Sequence, residues 1–475
     1  MDNEQKAIYN VKELGKGKTA VLGLQHLFAM FGATVLVPII TGLSVSTTLL
    51  FAGLATLFMH LVTGRKVPVF LGSSFAFLGG YAAVKAAGAA LGYEDQVSLV
   101  YACVGIACAG LLYLVLALIC KAYGSKRVMK FFPPVVTGPI IVAIGMNLAP
   151  SAINNCATNW PIALVAIVVV IVCNILGRGM IKIIPILLGV IVSYIVAAIS
   201  GNVDFSVVAN AKWIGFPIVG ERTVFGLFAG GNIDGGLLVS AIITIMPIAI
   251  ATMMEHIGDI SAIGGTVGKN FIEDPGLHRT LIGDGVGTAI AALFGAPANT
   301  TYGENTGVLA LTKVYDPFVI RIAALYAIIL SFCPKFAAII EAMPAATIGG
   351  VSIILYGMIS AIGIRNMVEN HTDFQKSRNV IIAALIIGLS IGINFSGALG
   401  ATINPVDGNA ATGAISFTIG SVSIALSGLA VASIIGIVIN AILPGKNETF
   451  YEHPIDAGSL GKYGNRLETP KKPEK

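Results

Sequence analysis

Apolar runs of roughly 20 residues recur along the whole chain, and they decide most of what it can fold into. A bilayer core takes about 20 consecutive apolar residues as one helix. The 475-residue chain holds fourteen such windows: near 20–40, 45–63, 68–88, 97–120, 131–149, 158–176 and 183–200, then near 237–257, 280–296, 299–312, 318–334, 345–363, 379–395 and 413–443. A stretch read as hydrophilic, 201–236, separates the two sets of seven. Only 11% of residues are charged against 56% hydrophobic, where soluble domains carry roughly 25% charged residues. Too few charges remain to solvate a soluble particle. That excludes an ordinary cytosolic enzyme, a disordered chain and a secreted disulfide scaffold. The six cysteines form no CxxC pair, and most sit in apolar runs. They read as small buried side chains, with no disulfide or metal site.

The basic residues give an orientation. With the N-terminus placed in the cytoplasm and the spans alternating, 25 Lys and Arg fall inside and 4 outside, the four being Lys85, Lys212, Arg222 and Lys335. Positive charge collects on cytoplasmic loops. The tails 1–19 and 444–475 are therefore expected inside, and the connector 201–236 outside. The net charge of +5 reports topology, with no nucleic-acid partner implied. Residues 1–18 are polar and no small-residue cleavage site follows, so no signal peptide is read. Seven spans per half bring the second half into the membrane from the opposite side, as in inverted-repeat transporters. The expectation is an all-α polytopic membrane protein with repeats at 20–200 and 237–443.

Two spans are poor helices. Leu71-Gly72-Ser73-Ser74-Phe75-Ala76-Phe77-Leu78-Gly79-Gly80 is rich in Gly and Ser, and Ala298-Asn299-Thr300-Thr301-Tyr302-Gly303-Glu304-Asn305-Thr306-Gly307 is more polar still. Each is the third span of its half, and Pro68 and Pro297 sit just ahead. Gly/Pro-interrupted segments at matching positions point to a transporter's binding site. Non-helical backbone survives in a membrane only where protein or a cavity pairs it. Such segments offer free N–H groups and helix-start dipoles to a bound molecule. The competing reading is that the glycines only allow close helix packing.

Glu255 and Glu304 are the acids inside these runs, and a charge at mid-bilayer costs about 2.5–3.5 kcal/mol. Both are candidates to bind a ligand. The bland alternatives are a snorkelling side chain for Glu255 and a structural hydrogen bond for Glu304. Asp284 reads as interfacial. Gln25 and His26 form a polar pair that either bridges helices or supports the site. Neither H-E-x-x-H nor G-x-x-x-x-G-K-[ST] occurs. The chain therefore reads as a transporter, with no enzyme activity, metal or nucleotide cofactor.

The run Gln25-His26-Leu27-Phe28-Ala29-Met30-Phe31-Gly32-Ala33-Thr34-Val35-Leu36-Val37-Pro38 resembles the first-helix signature of the nucleobase–ascorbate transporter family (nucleobase:cation symporter-2), on its uracil-carrying branch. That family's motif [QEP]-N-x-G-x-x-x-x-T-[RKG] is matched at every specified position by Glu304-Asn305-Thr306-Gly307-Val308-Leu309-Ala310-Leu311-Thr312-Lys313. The resemblance implies fourteen helices with spans 3 and 10 broken by short strands. It also implies a core domain of spans 1–4 and 8–11, and a gate domain of spans 5–7 and 12–14. Proton-coupled import of uracil across a bacterial cytoplasmic membrane, often by a homodimer, is implied as well. By motif, Glu255 and Glu304 match the substrate-binding acids, and Phe75 and Gly303 match residues whose backbone amides contact the base. Ala33, Tyr302 and Tyr356 match positions at the pocket. Proton coupling falls to Glu255, with Asp259 or His26 as relays. Family uracil permeases carry His where Asp259 stands, and a carboxyl titrates in a different range from an imidazole. The chemistry agrees with uracil. The base presents two N–H donors and two C=O acceptors, while carboxylates only accept and amide N–H groups only donate. The rivals are a xanthine or urate permease of the same family and an anion transporter of related seven-plus-seven architecture. The second would need a cationic site, and the broken spans hold no Arg or Lys in their cores.

Overall fold

The computed structural model describes residues 7–231, 233–396, 414–419 and 422–445. The first half runs α1 (Lys16–Thr41), α2 (Val45–Val62), strand β1 (Leu71–Ser73), α3 (Leu78–Ala90), α4 (Asp95–Tyr123), α5 (Pro134–Ala157), α6 (Trp160–Ile175) and α7 (Pro185–Ile199). The second half begins with α8 (Gly235–Val267), which passes through a 3-10 turn at Met246–Ile248. It continues with α9 (Leu277–Leu293), β2 (Asn299–Thr301), α10 (Gly303–Thr312), α11 (Pro317–Ser331), α12 (Ala345–Glu369), α13 (Ser377–Phe395), the strands β3 (Ala414–Ile419) and β4 (Val422–Ser427), and α14 (Gly428–Ile442). Local signals set several starts. Ser44 and Asp234 cap the backbone N–H groups of α2 and α8, and Pro134, Pro185 and Pro317 open their helices, where a missing N–H costs nothing.

Among the described residues seven helices are long and apolar enough to cross a membrane. The count is eight if α11 and the helix Pro334–Glu341, bent by 88° between them, form one span. α6, α7 and α14 are apolar but shorter. The window expected as one span over 413–443 instead divides into the antiparallel pair β3–β4, with Ala414 opposite Ser427, followed by α14. The reason is legible afterwards: Ile415-Ser416-Phe417-Thr418-Ile419 and Val422-Ser423-Ile424 alternate with a period of two, which suits a strand. The connector 201–236 is also less hydrophilic than it reads, because Trp213, Ile214 and Phe216 stand exposed on it.

Packing sorts the helices into two groups. In one, α4 lies against α3, α8 and α9, while α2 lies against α9 and α11, and α1 against α11. In the other, α5 lies against α12, α13 and α14, and α6 lies against α7 and α12. Exchanging each helix for the one seven places along relates several of these pairs: α4–α9 becomes α11–α2, α1–α11 becomes α8–α4, and α6–α7 becomes α13–α14, which also pack together. Glycines make the tightest crossings. A Cβ on Gly110 would meet the carbonyl oxygen of Gly285 at 2.5 Å, and one on Gly285 would meet that of Gly110 at 2.7 Å. The α4 and α9 backbones touch there, as small residues allow in membranes.

Candidate functional site

The site is built on the shortest elements of the fold. β1 and β2 pair antiparallel, with Leu71 opposite Thr301, Gly72 opposite Thr300 and Ser73 opposite Asn299. Two three-residue strands cannot satisfy their outer edges alone, and the polar groups of their neighbours complete them. On α2, Thr56 accepts from Leu71 N at 2.9 Å and donates to Leu71 O at 3.3 Å. On α9, Thr288 accepts from Asn299 N at 3.2 Å and donates to Asn299 O at 3.1 Å. One hydroxyl per strand thus serves both a donor and an acceptor that lipid could not. Ser74 N donates to Ala298 O at 2.8 Å and Tyr302 N to Phe70 O at 3.1 Å, extending the ribbon at both ends. Gly72 is required by close approach. A Cβ there would lie 2.5 Å from the Tyr302 ring and 2.6 Å from Thr34 Oγ1.

Each strand runs into a half-helix, β1 into α3 and β2 into α10. Neither start carries a side-chain cap, since Phe77 and Tyr302 occupy the capping positions. Leu78 N of α3 donates to Phe75 O at 3.1 Å; no side chain accepts from the other first N–H groups of either helix, and these are left for another acceptor. Phe75 lies in the turn ahead of α3 with its ring edge-on to Tyr356 of α12, centroids 5.4 Å apart at 75°. Gly303 opens α10. Tyr302 is buried and its hydroxyl donates to Ser73 O at 2.8 Å. Ala33, fully buried on α1, presents its carbonyl near the Ser73 hydroxyl, whose shorter bond is to Thr34 O at 2.7 Å. The first helix, both strands and α10 therefore meet at one place.

The carboxylates converge on it. Glu255 is partly buried on α8, and its Oε2 has no hydrogen-bond partner among the described residues. Asp259, one turn further, accepts from Thr301 Oγ1 of β2 at 2.6 Å. Glu304 is the second residue of α10 and partly buried. α8 packs against β2 and α10, which brings its two acids near the elements that carry Glu304. Glu304 lines a cavity of about 370 Å³ with Gly303, Phe28 and Ala29 of α1 and Ile362 of α12, with Lys182 and Arg365 also in its wall. A buried acceptor without a donor, together with helix starts without side-chain caps, is an arrangement a planar amide-bearing ligand can complete.

Other residues land differently. His26 is fully buried, and its hydrogen bonds go to the α10 residue Asn305, whose Nδ2 lies 3.2 Å from His26 Nδ1 and donates to His26 O at 3.1 Å. None of them reaches Glu255 or Asp259. Asp284 is not interfacial as the sequence suggests. It is fully buried, with Oδ2 2.9 Å from Nδ1 of an equally buried His256. α9 is enclosed by α2 and α4 at this level, and Tyr113 of α4 stands edge-on to His256, so no water face remains. Thr56, Thr288, Asn305 and the His256–Asp284 pair escape the sequence reading. The available signal is a lone polar residue in mid-run, which must find a partner wherever it faces protein.

The Xan_ur_permease model, a permease family, matches residues 17–399. The chain is 40% identical over 440 residues to a uracil permease of Bacillus caldolyticus, covering 90% of this chain and 93% of that one. It is 36% identical over 436 residues to a uracil permease of Escherichia coli K12, covering 90% and 91%. Among solved structures it resembles the transmembrane domain of the cyanobacterial bicarbonate transporter BicA, with a TM-score of 0.53 at 14% identity, covering 92% of this chain and 99% of that one. For SLC26A9 the TM-score is 0.56 at 12% identity, covering 91% and 66%. At such identities the likeness speaks for fold alone.

Proposed function

The chain belongs to the Xan_ur_permease permease family, and on that premise we propose that it imports uracil with a proton by alternating access. It is a multi-pass membrane transporter and not an enzyme. The single observation that carries the substrate is the complementarity of the site. Two uncapped helix starts supply N–H donors, and Glu304 and the unpartnered Glu255 Oε2 supply acceptors. Uracil presents the matching set, two carbonyls and two N–H groups in one plane. Phe75 and Gly303 offer backbone amides to the carbonyls, and Glu255 and Glu304 accept from the ring N–H groups. Tyr302, Ala33 and Tyr356 shape the walls. The uracil permeases that the chain resembles support the same substrate.

The two packing groups act as core and gate. Spans 1–4 and 8–11 form the core that carries the site, and spans 5–7 and 12–14 the gate it moves against. Fourteen crossings follow if β1–α3 and β2–α10 each complete one. Both termini then lie in the cytoplasm of a bacterium, and the working unit is a homodimer. Glu255 and Glu304 repel when both are charged. A proton taken up by Glu255 together with uracil reduces the charge the core must carry to the inner side. Asp259 is tied to Thr301, which leaves Glu255 the freer carrier; His26, bound to Asn305, steadies α10 beside Glu304.

Proteoliposomes with an imposed inward pH gradient test this. The wild type accumulates radiolabelled uracil above equilibrium, and Glu255→Gln equilibrates without accumulating. Accumulation retained by Glu255→Gln removes that residue from coupling. Competition by unlabelled xanthine or urate stronger than by uracil would transfer the site to purines.

A further inference from the structure

The N-terminal segment ahead of α1 is laid across the far ends of the two acid-bearing helices. Ile8 forms a parallel bridge with Val314: Ile8 N donates to Lys313 O at 2.8 Å, and Tyr315 N donates to Ile8 O at 2.8 Å. The Tyr9 hydroxyl donates at 2.8 Å to Val267 O, at the end of α8, 258 residues away in sequence. The Tyr9 ring meets Tyr315 at 5.4 Å and carries Lys269 Nζ 5.0 Å above it. Val11 N donates to Asp316 Oδ2 at 2.9 Å, while Oδ1 of the same carboxylate caps α11 through Phe318 N. Every one of these attachments is to α8, α10, α11 or the turns that join them to their neighbours.

From this we infer that residues 8–11 are a strap that sets the spacing of Glu255 and Glu304, with Tyr9 as its positioning residue. The inference rests on the reading that these two acids hold the base. Val267 lies 12 residues beyond Glu255 and Lys313 lies 9 beyond Glu304, about 18 Å and 14 Å along a helix. Near the site the same two segments are joined by the Thr301–Asp259 bond. α8 also packs against α10, and the strap is a distant tie added to that packing, which limits how far the far ends of the two helices can spread. Its attachment explains two local features. The last carbonyls of a helix lack intrahelical donors, and Tyr9 supplies one to α8. Lys313 closes α10 with a left-handed φ of 53°, which costs a non-glycine residue roughly 1–2 kcal/mol. The two Ile8 hydrogen bonds flank Val314, and one of them ends on the Lys313 carbonyl, so they hold the peptide that follows the left-handed residue.

A mere anchor for the N-terminus would affect folding, not affinity for a ligand more than two helical turns away. The test is uracil binding to purified full-length protein in detergent, with the folded fraction measured alongside. Tyr9→Ala is expected to weaken uracil binding about fivefold, and Tyr9→Phe, which keeps the ring and loses the hydroxyl, about threefold. In transport, KM rises while the maximal rate holds. In the Tyr9→Ala background, Ile8→Cys with Val314→Cys places two thiols on bridged strands, within the Cα separation a disulfide accepts. Oxidation is expected to restore affinity and dithiothreitol to remove it, with no such response in Tyr9→Ala alone. Wild-type affinity in folded Tyr9→Ala, or no recovery on crosslinking, overturns the strap. Should Tyr9→Ala not fold, wild-type affinity in Tyr9→Phe overturns it equally. Glu304→Ala separates the two levels: if the folded wild type binds no more uracil than that variant, the uracil reading fails and not the strap.

Discussion

Thr288→Val is the most direct trial of how the site is held. The change keeps the side-chain volume and removes one hydroxyl. In the structure that hydroxyl accepts from Asn299 N at 3.2 Å and donates to Asn299 O at 3.1 Å. Both backbone groups are buried, and a methyl group can replace neither bond. Two neutral hydrogen bonds are worth about 1 kcal/mol each, and bonds between membrane helices average about 0.6 kcal/mol. The orphaned donor and acceptor raise the cost, since each unpaired buried group loses about 1–3 kcal/mol. A loss of about 2 kcal/mol is expected, close to a thirtyfold shift in the folding equilibrium. Thr288→Ser, which keeps the hydroxyl, is expected to stay within about 0.5 kcal/mol of wild type. The assay is unfolding in detergent with uracil binding measured in parallel, because β2 leads directly into Gly303. Wild-type stability and affinity in Thr288→Val would refute the reasoning: the strand would not depend on the hydroxyl. Thr56→Val on α2, which removes the matching hydroxyl from Leu71 of β1, should cost a similar amount. The ladder joins the two strands, so the double variant should depart from additivity.

Two further changes address the packing around the ribbon. Gly72→Ala places a methyl group 2.5 Å from the Tyr302 ring. Uracil binding is expected to be lost with the protein still expressed, and an unchanged dissociation constant would show that Tyr302 moves freely. His256→Ala leaves the fully buried Asp284 without the imidazole 2.9 Å from it and is expected to destabilise the fold. His256→Ala with Asp284→Ala should be more stable than His256→Ala alone, as thermal unfolding of the purified variants would show.

The sequence makes the class of protein plain, because apolar runs and the sidedness of Lys and Arg obey the bilayer. The segments around Gly72 and Thr300 are legible as places where helix propensity fails. Their pairing partners are not, since Leu71 and Thr301 are 230 residues apart and nothing local specifies the register. The Glu304-Asn305 motif marks the family, yet it does not show that Asn305 is engaged by His26. Asp284 is misread for a related reason. Its distance from the nearest basic loop suggests an interface, but burial is decided by α2 and α4, which the local sequence does not contain. The paired strands Ala414–Ile419 and Val422–Ser427 are missed because overall apolarity outweighs the period-two alternation in a search for spans.

The two halves share a scaffold and differ in chemistry, and that difference bears on coupling. Thr56 and Thr288 play the same part on helices seven places apart, and the half-helix that follows each strand lacks a side-chain cap. Donor amides therefore come from both repeats. The acceptors do not. Glu255, Asp259 and Glu304 all belong to the second repeat, while Phe75 in the first faces Tyr356 with an aromatic ring. Under the proposed binding mode, a ligand with both donors and acceptors would be gripped through its carbonyls by both halves, and through its N–H groups by the second half alone. A proton that changes the charge at Glu255 acts on that second half. The first half supplies a donor surface whose backbone cannot titrate. On this argument, variants that alter proton coupling without abolishing binding should cluster on α8, β2 and α10. Variants of β1 should lower affinity at every pH alike, which uptake measured across a pH series in Phe75 and Ser73 variants would resolve.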